Sequence, residues 1–184
     1  MLRHVPLSSL AVGSAALAVL APLPRVASGQ GRLRDVASVF FIAKSENRNQ
    51  VHYGVHLDET CAPVGRAPVF AYWRMLEHGP LATEGLLPLE VPAYGVGEQR
   101  VLARGPTGGQ VAVSLRALPA RTIVIASRVQ GDACVATATT TIGGAPAALG
   151  SVYAQLSWPF GVSYLTLSGR DLTDGREVRE QVVP

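Results

Sequence analysis

The sequence predicts an all-β fold: a single-domain antiparallel meander of roughly eight to ten strands, barrel-like, with a β-sandwich as the alternative. Three observations carry that reading. Val51, Tyr53, Val55 and Leu57 alternate with His52, Gly54, His56 and Asp58, the period of two of a half-buried strand. Turn-forming residues recur about every ten positions from residue 100 onward, the spacing of hairpin-linked strands. No strand alternates with a long helical pattern, which disfavours α/β architectures.

Each element follows from its residues. Val36 to Lys44 is apolar on both faces, as in a fully buried strand, and Glu46-Asn47-Arg48-Asn49 is a polar turn after it. The alternating strand 51–58 comes next, and Pro68 to Met75 is a third, aromatic-rich strand. Residues 77–98 carry Gly79, Pro80, Gly85, Pro88, Pro92, Gly95 and Gly97, so they form an irregular connection with one short helical turn. Strands then fall near 100–104, 109–117, 121–129, 133–142, 151–157, 162–169 and 176–183. Their turns are Pro106-Thr107-Gly108, Leu118-Pro119-Ala120, Gly131-Asp132, the loop Gly143 to Gly150, Trp158-Pro159-Phe160-Gly161 and Thr173-Asp174-Gly175.

Residues 1–29 have the form of an export signal. A basic start (Arg3) leads into an uncharged run from Val5 to Pro22, and Ala27-Ser28-Gly29 offers small residues for cleavage. A retained anchor is the competing reading, but the run is short for a span and Pro6, Pro22 and Pro24 bracket it. Cleavage leaves residues 30–184 as one domain, with no membrane span expected in it. That domain has 14 basic and 13 acidic side chains, so its formal charge is +1 and bulk charge gives no reason to expect nucleic-acid binding. The expected compartment is periplasmic or extracellular. There Cys61 and Cys134, separated by 73 positions, are expected to pair.

Several motifs resemble an uncharacterised bacterial family, the domain of unknown function 4833. They are Ser45-Glu46-Asn47-Arg48-Asn49-Gln50-Val51-His52-Tyr53, Pro68-Val69 with Tyr72-Trp73, Tyr94-Gly95, and Gly169-Arg170-Asp171-Leu172-Thr173-Asp174-Gly175 closing with Glu180. The resemblance implies an exported single-domain protein. It supplies no catalytic residues.

The chemistry-bearing residues point away from known catalytic patterns. Ser163 lies in Gly161-Val162-Ser163-Tyr164-Leu165, which lacks the last glycine of a nucleophile elbow. His52 and His56 share a strand face about 13 Å apart, too far to bind one metal. No metal site, cofactor or catalytic group is therefore expected, and this polar face reads as solvated. Lys44, the chain's single lysine, ends a strand beside a polar turn, and Asn47 and Asn49 read as turn formers. Asp171, Asp174, Glu177 and Glu180, interleaved with Arg170, Arg176 and Arg179, read as a solvated hairpin with cross-strand ion pairs.

Residues 99–131 hold Arg100, Arg104, Arg116, Arg121 and Arg128 with no acidic residue, a band that could meet an anion. The leading expectation is a non-enzymatic binding or envelope-associated module for a small or anionic ligand. Its candidate contacts are His52, His56, Tyr72, Trp73, Arg116 and Arg128. The alternatives are an envelope hydrolase assembled from His52, His78 and an acid, and a structural or protein-interaction domain.

Overall fold

The computed structural model describes residues 34–79, 81–157 and 161–183. Residues 1–29, read above as an export signal, and Trp158-Pro159-Phe160 lie outside the described residues. Among the described residues, eleven strands form one sheet: β1 (Val36–Lys44), β2 (Gln50–Val55), β3 (Val69–Arg74), β4 (Thr83–Gly85), β5 (Val96–Gly105), β6 (Gly108–Leu115), β7 (Leu118–Gln130), β8 (Ala133–Ile142), β9 (Ala145–Ser157), β10 (Gly161–Asp171) and β11 (Glu177–Val182). One four-residue helix, α1 (Val91–Tyr94), lies between β4 and β5.

The order along the sheet is β4-β3-β2-β1-β9-β8-β7-β6-β5, with β10 on the other edge of β9 and β11 beyond it. Strand β9 thus serves two wings. Its Ala145–Ala148 pair with Thr139–Ile142 of β8, and its Ser151–Ala154 pair with Phe41–Lys44 of β1. The β1–β9 pairing is parallel, which a pure meander does not contain. The handover falls at Gly150, where the register against β10 slips between Ser168 and Gly169. Such a bulge bends the strand and lets it change partners. Gly169 packs so closely there that a Cβ would collide with the Ala148 carbonyl oxygen and crowd Ile142 Cδ1. Gly169→Ala is expected to cost about 1–3 kcal/mol through overpacking, read from urea midpoints; an unchanged midpoint would remove this role.

The path is not closed by backbone pairing, yet its two ends meet. Gln99 of β5 accepts from Val69 N–H through Oε1 at 2.8 Å and donates to Val69 C=O through Nε2 at 2.9 Å. A side-chain amide thereby stands in for a neighbouring strand at the start of β3, where β4 pairs only with residues 72–74. Both barrel-like and sandwich descriptions fit this open arrangement.

One core joins both wings. It contains Phe40, Ile42, Val51, Tyr53, Val55 and Trp73 from one wing and Val111, Val113, Ile123, Ile125, Leu165 and Leu167 from the other. Cys61, in the β2–β3 connection, is bonded to Cys134 of β8, with a Cα–Cα distance of 5.4 Å. Ser127, itself buried, donates its hydroxyl to the Cys61 carbonyl at 2.7 Å.

Three local expectations are corrected. Gly143 to Gly150 is not a loop: the turn is Gly143-Gly144 alone, both at positive φ (60° and 83°), and β9 starts at Ala145. Two such residues make the primed turn that a tight hairpin requires, and the small residues after them fit a packed strand. Leu118-Pro119-Ala120 is not a turn but the start of β7; Leu118 pairs with Leu115 and is buried. Glu180 does not stay within its hairpin. It meets Arg121 of β7 at 2.7 and 3.0 Å and accepts from Gly143 N–H at 3.0 Å. These donors hold its carboxyl below the ordinary range, with Arg121 the main cause.

Candidate functional site

The inner face of the β1–β2–β3 wing ends in a polar cleft. Its register explains why. Ile42, Val51 and Trp73 form one apolar row across the three strands. Two residues further along each strand come Lys44, Asn49 and Met75, so the next row on the same face carries a cation and an amide. These three residues line a cleft of about 180 Å³ with Asn47, Glu84, Gly85, Leu87 and Glu90. That is about six waters' worth of liquid volume, smaller than a drug-sized pocket.

Lys44 is the central cation. Its side chain is 16% exposed, its Nζ lies 4.8 Å from the Trp73 ring centroid, and Glu46 Oε2 is 3.8 Å away. A cation over an indole face is attracted by the ring quadrupole, by about 0.5–2 kcal/mol. Trp73 is fixed on its other sides. Its Nε1–H donates to Glu90 Oε2 at 2.8 Å, and Tyr94 packs edge-on at 5.3 Å. The same Glu90 oxygen accepts from Leu87 N–H at 2.8 Å, which ties the loop before α1 to the indole.

The turn residues build the opposite wall. Asn47 Oδ1 accepts from Asn49 N–H at 3.1 Å, the local bond that favours asparagine in turns. Asn49 is 6% exposed, and its Oδ1 accepts from Glu77 N–H at 3.2 Å. Tyr53, buried in the core, donates its hydroxyl to the Tyr94 carbonyl at 2.6 Å. Burial first, then the charges of Glu46 and Glu90, raise the Tyr94 phenol and keep it neutral. The cleft thus offers one ammonium, the carboxylates of Glu84 and Glu90, and turn amides.

The sequence-selected candidates separate into different places. Trp73 is on the inner face, 5% exposed, and lines this cleft. Tyr72 is on the outer face, as alternation requires. There Phe41, His52, Tyr72, Phe70 and His56 form a continuous aromatic ribbon, with successive centroid spacings of 5.3, 5.8, 6.0 and 4.3 Å. His52 is not on a solvated face: it is 4% exposed. Burial, with a smaller effect from Arg74, lowers its imidazole to about 4. His56 Nδ1 lies 3.0 Å from Asp35 Oδ1 but is not aligned for a hydrogen bond. His78 sits in the exposed turn after β3.

The arginine band is dispersed. Arg116 is exposed in the β6–β7 turn. Arg128 lies ten residues beyond Leu118, about 33 Å along β7, and donates to Gln130 Oε1 at 3.1 Å. Arg104 donates to the carbonyls of Pro63 and Gly65. Arg121 holds Glu180 and also donates to the Thr141 carbonyl. These arginines do not converge on one anion site.

Sequence reasoning missed Lys44, Glu84 and Glu90 as cleft residues. Lys44 had a usable signal: it continues the inward parity of Phe40 and Ile42. The two glutamates had none, because the irregular connection that places them shows no periodicity.

Comparison with protein families matches residues 40–181 to the Domain of unknown function (DUF4833). Comparisons with curated proteins and with solved structures find no match. The matched span runs from Phe40 in β1 to Gln181 in β11 and includes every residue of the cleft. On the strength of that coverage, the chain belongs to the DUF4833 family, a domain of unknown function.

Proposed function

We propose that this protein is an exported binding domain that holds a small polar ligand, carrying an anionic group, in the Lys44–Trp73 cleft. The observation that carries the reading is the position of the single lysine. A strand that is otherwise apolar on its inner face ends in an ammonium, held over an indole and facing a cleft built from three separate segments. Keeping a cation largely covered costs desolvation, so a ligand anion is its natural complement. Glu84 and the turn amides are placed to meet the ligand's donors and acceptors. The Glu90 carboxylate and the Asn47 oxygen already accept hydrogen bonds, which supports holding over proton transfer.

The apolar N-terminal segment supports export, and a disulfide fits an oxidising compartment. Among the described residues no helix is long and apolar enough to cross a membrane.

Native mass spectrometry of protein isolated from the periplasm without refolding tests both halves of the reading. The expected mass lacks residues 1–29 and carries a reproducible small adduct. Lys44→Met should weaken retention of that adduct by about 10–100-fold, the worth of a charged hydrogen bond. An adduct retained equally by both proteins would displace the site, and an intact leader on the protein would displace export.

A further inference from the structure

We propose that Ser38 is an activated nucleophile that accepts an acyl group from a carboxylic ester, with His52 as its general base and Gln50 as the positioning residue. The site is separate from the cleft, on the outer face and about 20 Å along β1 from Lys44.

The geometry begins with a bulge. Val36 pairs with Val55 and Phe40 with Tyr53, so Ala37, Ser38 and Val39 face the single residue Gly54. Extra residues re-aim a side chain out of regular pairing. Ser38 is exposed, and its Oγ lies 2.7 Å from His52 Nδ1. On the other side of the ring, His52 Nε2 lies 3.0 Å from Gln50 Oε1. An amide oxygen only accepts, so Nε2 carries the proton and Nδ1 presents its lone pair to the serine hydroxyl. This is the order nucleophile, base and orienting acceptor that acyl transfer uses.

The ring is held as well as oriented. Phe41 of β1 and Tyr72 of β3 flank it, and it is almost fully covered. The charged group acting on it from β3 is Arg74. Arg74 pairs with Gln50 across the sheet, on the side of the ring away from Ser38. Phe41 and Tyr72 offer an apolar surface for the ester's hydrocarbon part.

The reaction balances without any further reagent. Ser38 Oγ bonds to the ester carbonyl carbon while His52 Nδ1 takes the hydroxyl proton. The adduct collapses, the C–O bond to the alcohol breaks, and the alcohol leaves with that proton. Water then attacks the acyl-serine, giving up a proton through Nδ1, and releases the acid and Ser38.

The test is covalent labelling of the whole folded protein with an alkyl fluorophosphonate, followed by intact mass and peptide mapping. Stoichiometric labelling at Ser38, abolished by Ser38→Ala, is expected. Ser163→Ala, at another exposed serine, should label normally. His52→Gln should slow labelling by about 10²–10⁴-fold. Gln50→Ala should slow it and Gln50→Glu restore it, because glutamate keeps the accepting oxygen. The rate should stay level from pH 8 down to 5 and fall only as pH approaches about 4, where the imidazole protonates. A folded protein that does not label at Ser38, or that labels there equally fast without His52, overturns the proposal.

Discussion

Replacing Cys61 and Cys134 together by serine will lower stability by about 4 kcal/mol, because the bond closes a loop of more than seventy residues in the unfolded chain. The bond joins the connection after β2 to strand β8. These belong to the two wings that otherwise share strand β9 and the core. Cys61 is fully buried, and its carbonyl accepts the Ser127 hydroxyl. Its backbone has φ of 62°, a left-handed conformation uncommon outside glycine. The comparison is equilibrium urea unfolding of the oxidised wild type and the double variant. A difference below about 1 kcal/mol would mean that the wings hold each other without the bond.

Phe40→Ala is expected to cost about 3–5 kcal/mol, the range for truncating a buried phenylalanine. Phe40 is 1% exposed and stacks on Tyr53, its register partner, at 4.6 Å with planes 7° apart. The consequence should extend to the cleft. Tyr53 holds the Tyr94 carbonyl, and Tyr94 packs on Trp73. A cavity beside Tyr53 therefore loosens the anchor of the indole that sits under Lys44. Denaturation midpoints give the energy, and tryptophan emission reports the indole's surroundings. A loss under about 1.5 kcal/mol would show that the site collapses around the cavity.

The strands were legible wherever one face is buried and local. Val51, Tyr53, Val55 and Leu57 alternate in sequence and are all fully buried in the fold. The apolar run Val36–Lys44 is strand β1 with those same bounds, but it is not buried on both faces as its composition suggested: Phe40 and Ile42 are buried while Ala37 and Ser38 are exposed. The irregular stretch 77–98 contains a short helical turn, as expected, together with the short strand β4. The cysteine pairing was legible because two cysteines leave one possible pair.

What failed was the inference that the second face of β2 is polar and solvated. His52 and Gly54 belong to the polar half of the alternation, yet both are buried. Phe70 lies over Gly54, and Phe41 and Tyr72 flank the imidazole. Those rings arrive from β1 and β3, and no window around residue 52 contains β3. The arginine band failed for the same reason. Neighbours in sequence on long strands end up tens of ångströms apart, while Arg121 and Glu180, 59 positions apart, form a close pair.

Local pattern therefore decided the class of fold, the inward residues and several of the places where the chain turns, since these depend on backbone period and turn chemistry over a few residues. The parallel junction of β1 with β9, the near-closure by Gln99, the Lys44–Trp73 cleft and the Ser38–His52 contact were decided by register between strands distant in sequence. A shift of one residue in that register turns every side chain to the opposite face. It is the packing of the whole core, acting on all strands together, that selects the register which brings these groups into contact.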